Sequence, residues 1–160
     1  MERSNLSNTF HSSFFISHLL VIIRVALGAV FIYSGWEKLM APFENFEAVI
    51  EGYQFLKPPF IFLVAVSFPW LELIFGAFLA LGFLIRTSAL ALSFLLITFL
   101  VLLCRSFWLH LPVSECGCFG SGLSLAPWQA IILDIGLLSM AVLTIWLKPY
   151  LLSLDQKLRQ

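Results

Sequence analysis

Two cysteines flank a single glycine in the stretch Ser114-Glu115-Cys116-Gly117-Cys118-Phe119-Gly120-Ser121-Gly122. Thiols at this spacing suit three chemistries: a fixed staple, a reversible dithiol/disulfide, or soft-metal ligation. A staple gains little here. The chain-entropy estimate for a three-residue ring is about 1.6 kcal/mol before strain. Cysteines this close in sequence also sit near the limit of allowed Cα separation. Strained, exposed disulfides are the labile and catalytic ones, and the glycines permit the sharp turn. The pattern favours reversible exchange by Cys116 and Cys118. Cys104, twelve residues before Cys116, is a third candidate if the loop folds back. Otherwise it is a buried apolar filler, the usual fate of a lone free cysteine. His110, Cys116 and Cys118 together offer one imidazole and two thiolates, a set suited to Cu(I) or Zn. No second Cys-x-Cys or His pair completes a closed four-ligand site.

A second group of chemically capable residues lies inside apolar runs: Arg24, Lys38, Glu72, Arg105 and Asp134. An unpaired charge at mid-membrane costs at least about 2.5–3.5 kcal/mol, so these residues need partners. Counted from the ends of their runs, Arg24 and Glu72 both fall near the mid-plane, which predicts an Arg24–Glu72 salt bridge. Asp134 and Arg105 match in depth nearer the opposite surface, which predicts a second pair. Glu37 and Lys38 end the first run at about that level. The Arg24–Glu72 pair is either a structural lock or a contact for protons or a quinone, and the outer polar layer is either structural or sets the pKa of a nearby thiol. Pro69, three residues before Glu72, removes a backbone donor and kinks a helix.

The elements that must position these groups follow from composition. Of 160 residues, 61% are hydrophobic and only 11% charged, with a mean hydropathy of +0.99. Soluble domains are about 45–50% apolar and about 25% charged, so a soluble enzyme or binding module is excluded. Nine Lys+Arg balance nine Asp+Glu with no basic block, which argues against nucleic-acid binding. Four apolar runs, about 14–36, 60–84, 87–109 and 128–147, are each long enough to cross a bilayer as a helix. Barrel strands would need polar/apolar alternation in segments of about 10 residues, which the chain lacks. Residues 1–13 read as a polar N-terminal segment rather than a signal peptide, and 148–160 as a polar tail. Between the first two runs, Phe43, Phe46, Val49, Ile50 and Tyr53 recur at helical spacing, with Glu44, Glu47 and Glu51 on the other face. This predicts a short amphipathic helix in the interface, as a cap or as the roof of a site. The fold class is an all-α membrane protein: a four-helix transmembrane bundle, residues 14–147, with this interfacial helix in its first outer loop.

Orientation follows the positive-inside rule. With cytoplasmic termini, the inner side holds Arg3, Arg86, Lys148, Lys157 and Arg159, and the outer side Lys38 and Lys57, with Arg105 near that end. The bias places the protein in the inner (plasma) membrane with the Cys-Gly-Cys loop on the periplasmic side, where disulfides persist.

These residues together resemble a known family. Arg24-x-x-x-Gly28 with Phe31, Gly35 and Lys38 is similar to the opening of DoxX-like membrane proteins. Pro69-x-x-Glu72-x-x-x-Gly76, then Gly82 and Arg86, resembles their second span. Cys116-Gly117-Cys118-Phe119-Gly120 narrows the resemblance to the MauE branch, the methylamine utilisation proteins. The likeness runs from about Arg24 to Leu147. It implies a four-helix inner-membrane protein working beside a periplasmic thioredoxin-like partner, linked to maturation of methylamine dehydrogenase, whose small subunit is rich in disulfides.

Three functions compete on this reading. The first is a membrane thiol–disulfide oxidoreductase using Cys116 and Cys118, with electrons passing to or from the membrane through a quinone. The chain holds no Cys-x-x-Cys, so its thioredoxin-like partner is a separate protein. The second is a non-enzymatic assembly or anchoring subunit. The third is a metal or small-molecule handler.

Overall fold

A computed structural model describes residues 2–109 and 126–146, with side chains from His18 to Leu109, at Ala126, and from Trp128 to Trp146. Cys116, Cys118 and His110, the segment 110–125 and the tail 147–160 lie outside the described residues.

Among the described residues there are five helices: α1 Glu2–Met40, α2 Phe43–Gly52, α3 Pro58–Leu81, α4 Ile85–Trp108 and α5 Pro127–Trp146. Their ends follow local chemistry. Pro42 cannot continue α1, and it opens α2 in extended backbone. Pro58 occupies the first position of α3, where its missing N–H is no loss. At the far end of α3, Gly82 takes the left-handed conformation (φ 78°). Its N–H bonds Leu79 O and the N–H of Phe83 bonds Phe78 O, a Schellman cap that turns the chain into α4 within three residues. Helix α3 runs through Pro69 without interruption.

Four spans among the described residues are long and apolar enough to cross a membrane: His18–Met40, Pro58–Leu81, Ile85–Trp108 and Trp128–Trp146. They match the predicted runs to within a few residues. The largest difference is that α1 begins at Glu2, so the backbone of the polar N-terminal segment is helical. The helices close a ring in which α1 packs on α3, α3 on α4, α4 on α5 and α5 on α1, while α2 lies across α3 and α1. The exterior is apolar: Ile22, Leu63, Phe94 and Val101 are all exposed. Exposed tryptophans mark both ends, Trp36, Trp108 and Trp128 at the end that carries α2 and Trp146 at the other, as expected of an interfacial aromatic belt. The chain is an integral membrane protein.

Within hydrocarbon, burying apolar surface does not drive helices together. Close van der Waals contact between small residues does. The α1–α3 seam is built this way. A Cβ on Gly28 would sit 2.7 Å from Gly76 O and 2.8 Å from Ala80 N. One on Gly35 would sit 2.7 Å from Pro69 O and 2.9 Å from Leu73 N. These neighbours are backbone and cannot yield cheaply. The seam fixes an antiparallel register in which Ser34 is level with Glu72, and Arg24 with Gly82.

Gly28→Ala and Gly35→Ala should therefore each destabilise the protein by about 1–3 kcal/mol through overpacking. Gly136, where an added Cβ would meet nothing within 4 Å, is the control: Gly136→Ala should be neutral or stabilising by up to about 1 kcal/mol. Unfolding of the purified variants in detergent measures both; equal losses at all three sites would contradict the seam.

Candidate functional site

The register brings one cation and two carboxylates together beneath α2. Lys38 Nζ lies 2.6 and 2.7 Å from the two carboxylate oxygens of Glu72. The same ammonium donates to Ser34 Oγ at 3.2 Å, and the Ser34 hydroxyl donates to Glu72 Oε2 at 3.1 Å. Lys38 is 4% exposed and Glu72 2%. A lysine at a span end normally extends toward water. Lys38 does the reverse, for a geometric reason. Side chains on a helix lean toward its N-terminus. On antiparallel α1 and α3, Lys38 therefore leans into the membrane and Glu72 leans toward the α2 end, so the two converge.

Helix α2 roofs this pair. Its buried face carries Phe46, Ile50 and, just beyond its end, Tyr53. The rings of Phe46 from α2 and Phe99 from α4 each lie 5.1 Å from Lys38 Nζ, a cation–π sandwich that also excludes water. The interfacial helix expected from the sequence thus covers the Lys38–Glu72 pair.

Asp134 of α5 joins the cluster. It is 2% exposed and within electrostatic reach of both Lys38 and Glu72. With Ser34 and Glu72 it lines a cavity of about 20 Å³, otherwise walled by Val30, Phe31, Leu96, Phe99 and Leu137. Its Oδ2 has no hydrogen-bond partner.

Two expected pairs are corrected. Arg24 does not meet Glu72. It is level with Gly82, ten residues or about 15 Å along α3 from Glu72, and its side chain leans the opposite way. Its guanidinium lies within 2.9–3.1 Å of where a Cβ on Gly82 would be, beneath the C-terminal end of α3, where a cation is favoured by the helix dipole. Its Nε and Nη1 have no hydrogen-bond partner. Arg105 does not meet Asp134 either. It donates to Tyr53 O at 2.7 Å and lies over the Phe55 ring at 5.9 Å. The carbonyl end of α2 is the nearer acceptor, so Arg105 ties the roof to α4. Cys104 is exposed on the outer surface of α4, which overturns its reading as buried filler.

Lys38, Glu72 and Asp134 are thus brought together, whereas Arg24 and Arg105 stand apart. Ser34 was missed, although its place four residues before Lys38 puts both on one helical face. Among the described residues no group of three or more His, Cys, Asp or Glu could hold a metal ion. Helix α4 ends and α5 begins at the α2 end, so the 16-residue segment 110–125, which contains Cys116 and Cys118, leaves from and returns to that end.

Compared with known families, residues 16–147 match the methylamine utilisation protein MauE family. No curated protein and no solved structure matches the chain.

Removing one partner of a buried ion pair strands the other's charge. Lys38→Met and Glu72→Met should each destabilise the protein by about 3–5 kcal/mol, and the double variant Lys38→Met/Glu72→Met by much less than the sum. A double-mutant cycle on detergent unfolding measures the coupling; additive losses would show that the pair contributes nothing as a pair.

Proposed function

The chain belongs to the methylamine utilisation protein MauE family, and from that premise we propose that it is a membrane thiol–disulfide redox protein. Cys116 and Cys118 exchange electrons with a periplasmic thioredoxin-like partner and so support maturation of disulfide-containing proteins of the methylamine dehydrogenase type. The observation that carries this reading is the Cys116-Gly117-Cys118 pair itself, on a segment whose two ends are fixed at the roofed end of the bundle. In the reducing direction, one thiolate attacks the partner's disulfide and a mixed disulfide forms. The second thiol then displaces the partner, which leaves with two electrons and two protons while Cys116–Cys118 closes. The reverse sequence oxidises the partner. A membrane quinone is the candidate to carry electrons onward. Both termini are cytoplasmic on this reading, in keeping with the Lys and Arg distribution.

Cys104 contributes less. It sits on the lipid-facing surface of α4 rather than beside the roofed cluster.

Cys116→Ser and Cys118→Ser test the proposal. At least one single variant should accumulate a covalent adduct with an extracytoplasmic protein, seen on non-reducing gels and released by reductant, and both should lose partner maturation. An impermeant thiol reagent on intact cells should label the wild-type pair only after reduction. If the double variant supports the partner fully and neither single variant traps anything, the protein is an anchoring subunit instead.

A further inference from the structure

We propose that the cluster of Ser34, Lys38, Glu72 and Asp134 is a buried proton-binding site, in which the Asp134 carboxyl takes up and releases the proton. The argument is a count of donors and charges. An ammonium has three donors and a serine hydroxyl one. Lys38 directs its donors to both oxygens of Glu72 and to Ser34 Oγ. Ser34 directs its hydroxyl to Glu72 Oε2. Every donor of the cluster is thus spent before it reaches Asp134, whose Oδ2 is fully buried with no partner.

The charges do not balance either. Lys38 supplies one positive charge against the two carboxylates of Glu72 and Asp134. Helix α4 adds only Leu96 and Phe99 to the cavity, and α5 adds only Leu137 besides Asp134. Over the roof, α2 presents Phe46. Arg105 is committed to Tyr53 O, and Arg24 lies at the opposite end of α3. Nothing else charged faces Asp134 among the described residues. One more positive charge completes the site, and a proton on Asp134 supplies both the charge and the missing donor. Solvent protons suffice for the step: a carboxylate and a proton give a carboxylic acid.

The alternative occupant is a small metal cation. Hard cations take roughly six or more oxygen ligands. Glu72 already spends both oxygens on Lys38, and among the described residues lining the cavity Asp134 is the only other carboxylate. The cavity, at about 20 Å³, has room for about one water molecule, which suits a hydrogen-bonded proton better than a hydrated ion. The argument for the site uses no cysteine, and among the described residues none lines it.

Infrared difference spectroscopy on the full-length protein in liposomes tests the proposal. The chain has two aspartates, Asp134 and Asp155. In an Asp155→Asn variant grown with carbonyl-labelled aspartate, an isotope-shifted carboxylic-acid carbonyl band should titrate reversibly with pH, in sodium-free and sodium-containing buffer alike. Asp134→Asn, which keeps the shape of the protonated acid, should abolish the band. No labelled acid band at any pH at which the fold persists means a permanently ionised Asp134 and overturns the proposal. A band that never titrates makes Asp134 a fixed hydrogen-bonding group and also overturns it. A band displaced by sodium at constant pH makes the site a cation site and overturns it in favour of that occupant. The labelled Asp155→Asn protein keeps the whole cluster intact, so the result does not depend on whether Asp134→Asn folds.

Discussion

The ion pair between Lys38 and Glu72 sets the terms for much of this structure. An ammonium enters a hydrocarbon bundle only if its charge and its donors are met inside, and here a bidentate carboxylate and a serine meet them. That requirement propagates outward. The pair forms only if α1 and α3 approach closely at one register, which is why glycines face backbone along their seam. It stays dry only if something covers the span ends, which is the work of Phe46 and Phe99. Helix α2 is therefore more than a connection between spans. Its own position depends on Arg105, whose guanidinium holds the carbonyl of Tyr53 at the end of α2. Pair, seam, roof and tether thus meet at one end of the bundle.

Much of the architecture was legible in the sequence because a bilayer leaves so few options. Hydropathy located four spans, and the spacing of Phe43, Phe46, Val49, Ile50 and Tyr53 located α2. The charged residues were legible as a set but not as pairs. Depth counted from the ends of apolar runs placed Arg24 beside Glu72. That count ignores two quantities a single sequence does not display: the register set by the glycine seam, and the lean of side chains toward a helix N-terminus. Together they carry Arg24 about 15 Å away along α3 and bring Lys38 in. Arg105 was misassigned for a different reason. Its acceptor is a backbone carbonyl, and no residue type announces one. The cysteine pair is the opposite case, plain in the sequence and outside the described residues.

The two ends of the bundle are chemically unlike. At the α2 end lie the ion pair, Asp134, the Arg105 tether and the attachment points of the segment that bears Cys116 and Cys118. At the other end, a three-residue turn capped by Gly82 joins α3 to α4, and Arg24 sits beneath the helix terminus. The asymmetry separates two uses of buried cations. Arg24 faces the partial negative charge of a helix end, which is spread over several carbonyls. Lys38 faces a full and localised charge. Among the described residues, only the second arrangement leaves a further carboxylate without a donor.

Such a carboxylate bears on how thiol chemistry and the bilayer would be joined. Closing a disulfide releases two electrons and two protons, and a membrane carrier that takes the electrons must take protons too. A protein that delivered electrons while leaving protons behind would build up charge in a medium that tolerates almost none. A carboxyl held inside the bundle would relieve this constraint, because its protonation neutralises a charge instead of creating one. Glu72 cannot serve, since protonating it would strand Lys38. Asp134 can, since no donor is lost when it changes state. The division of labour follows from the donor count: Glu72 is pinned so that Lys38 is tolerated, and Asp134 is left over because Lys38 is already spent.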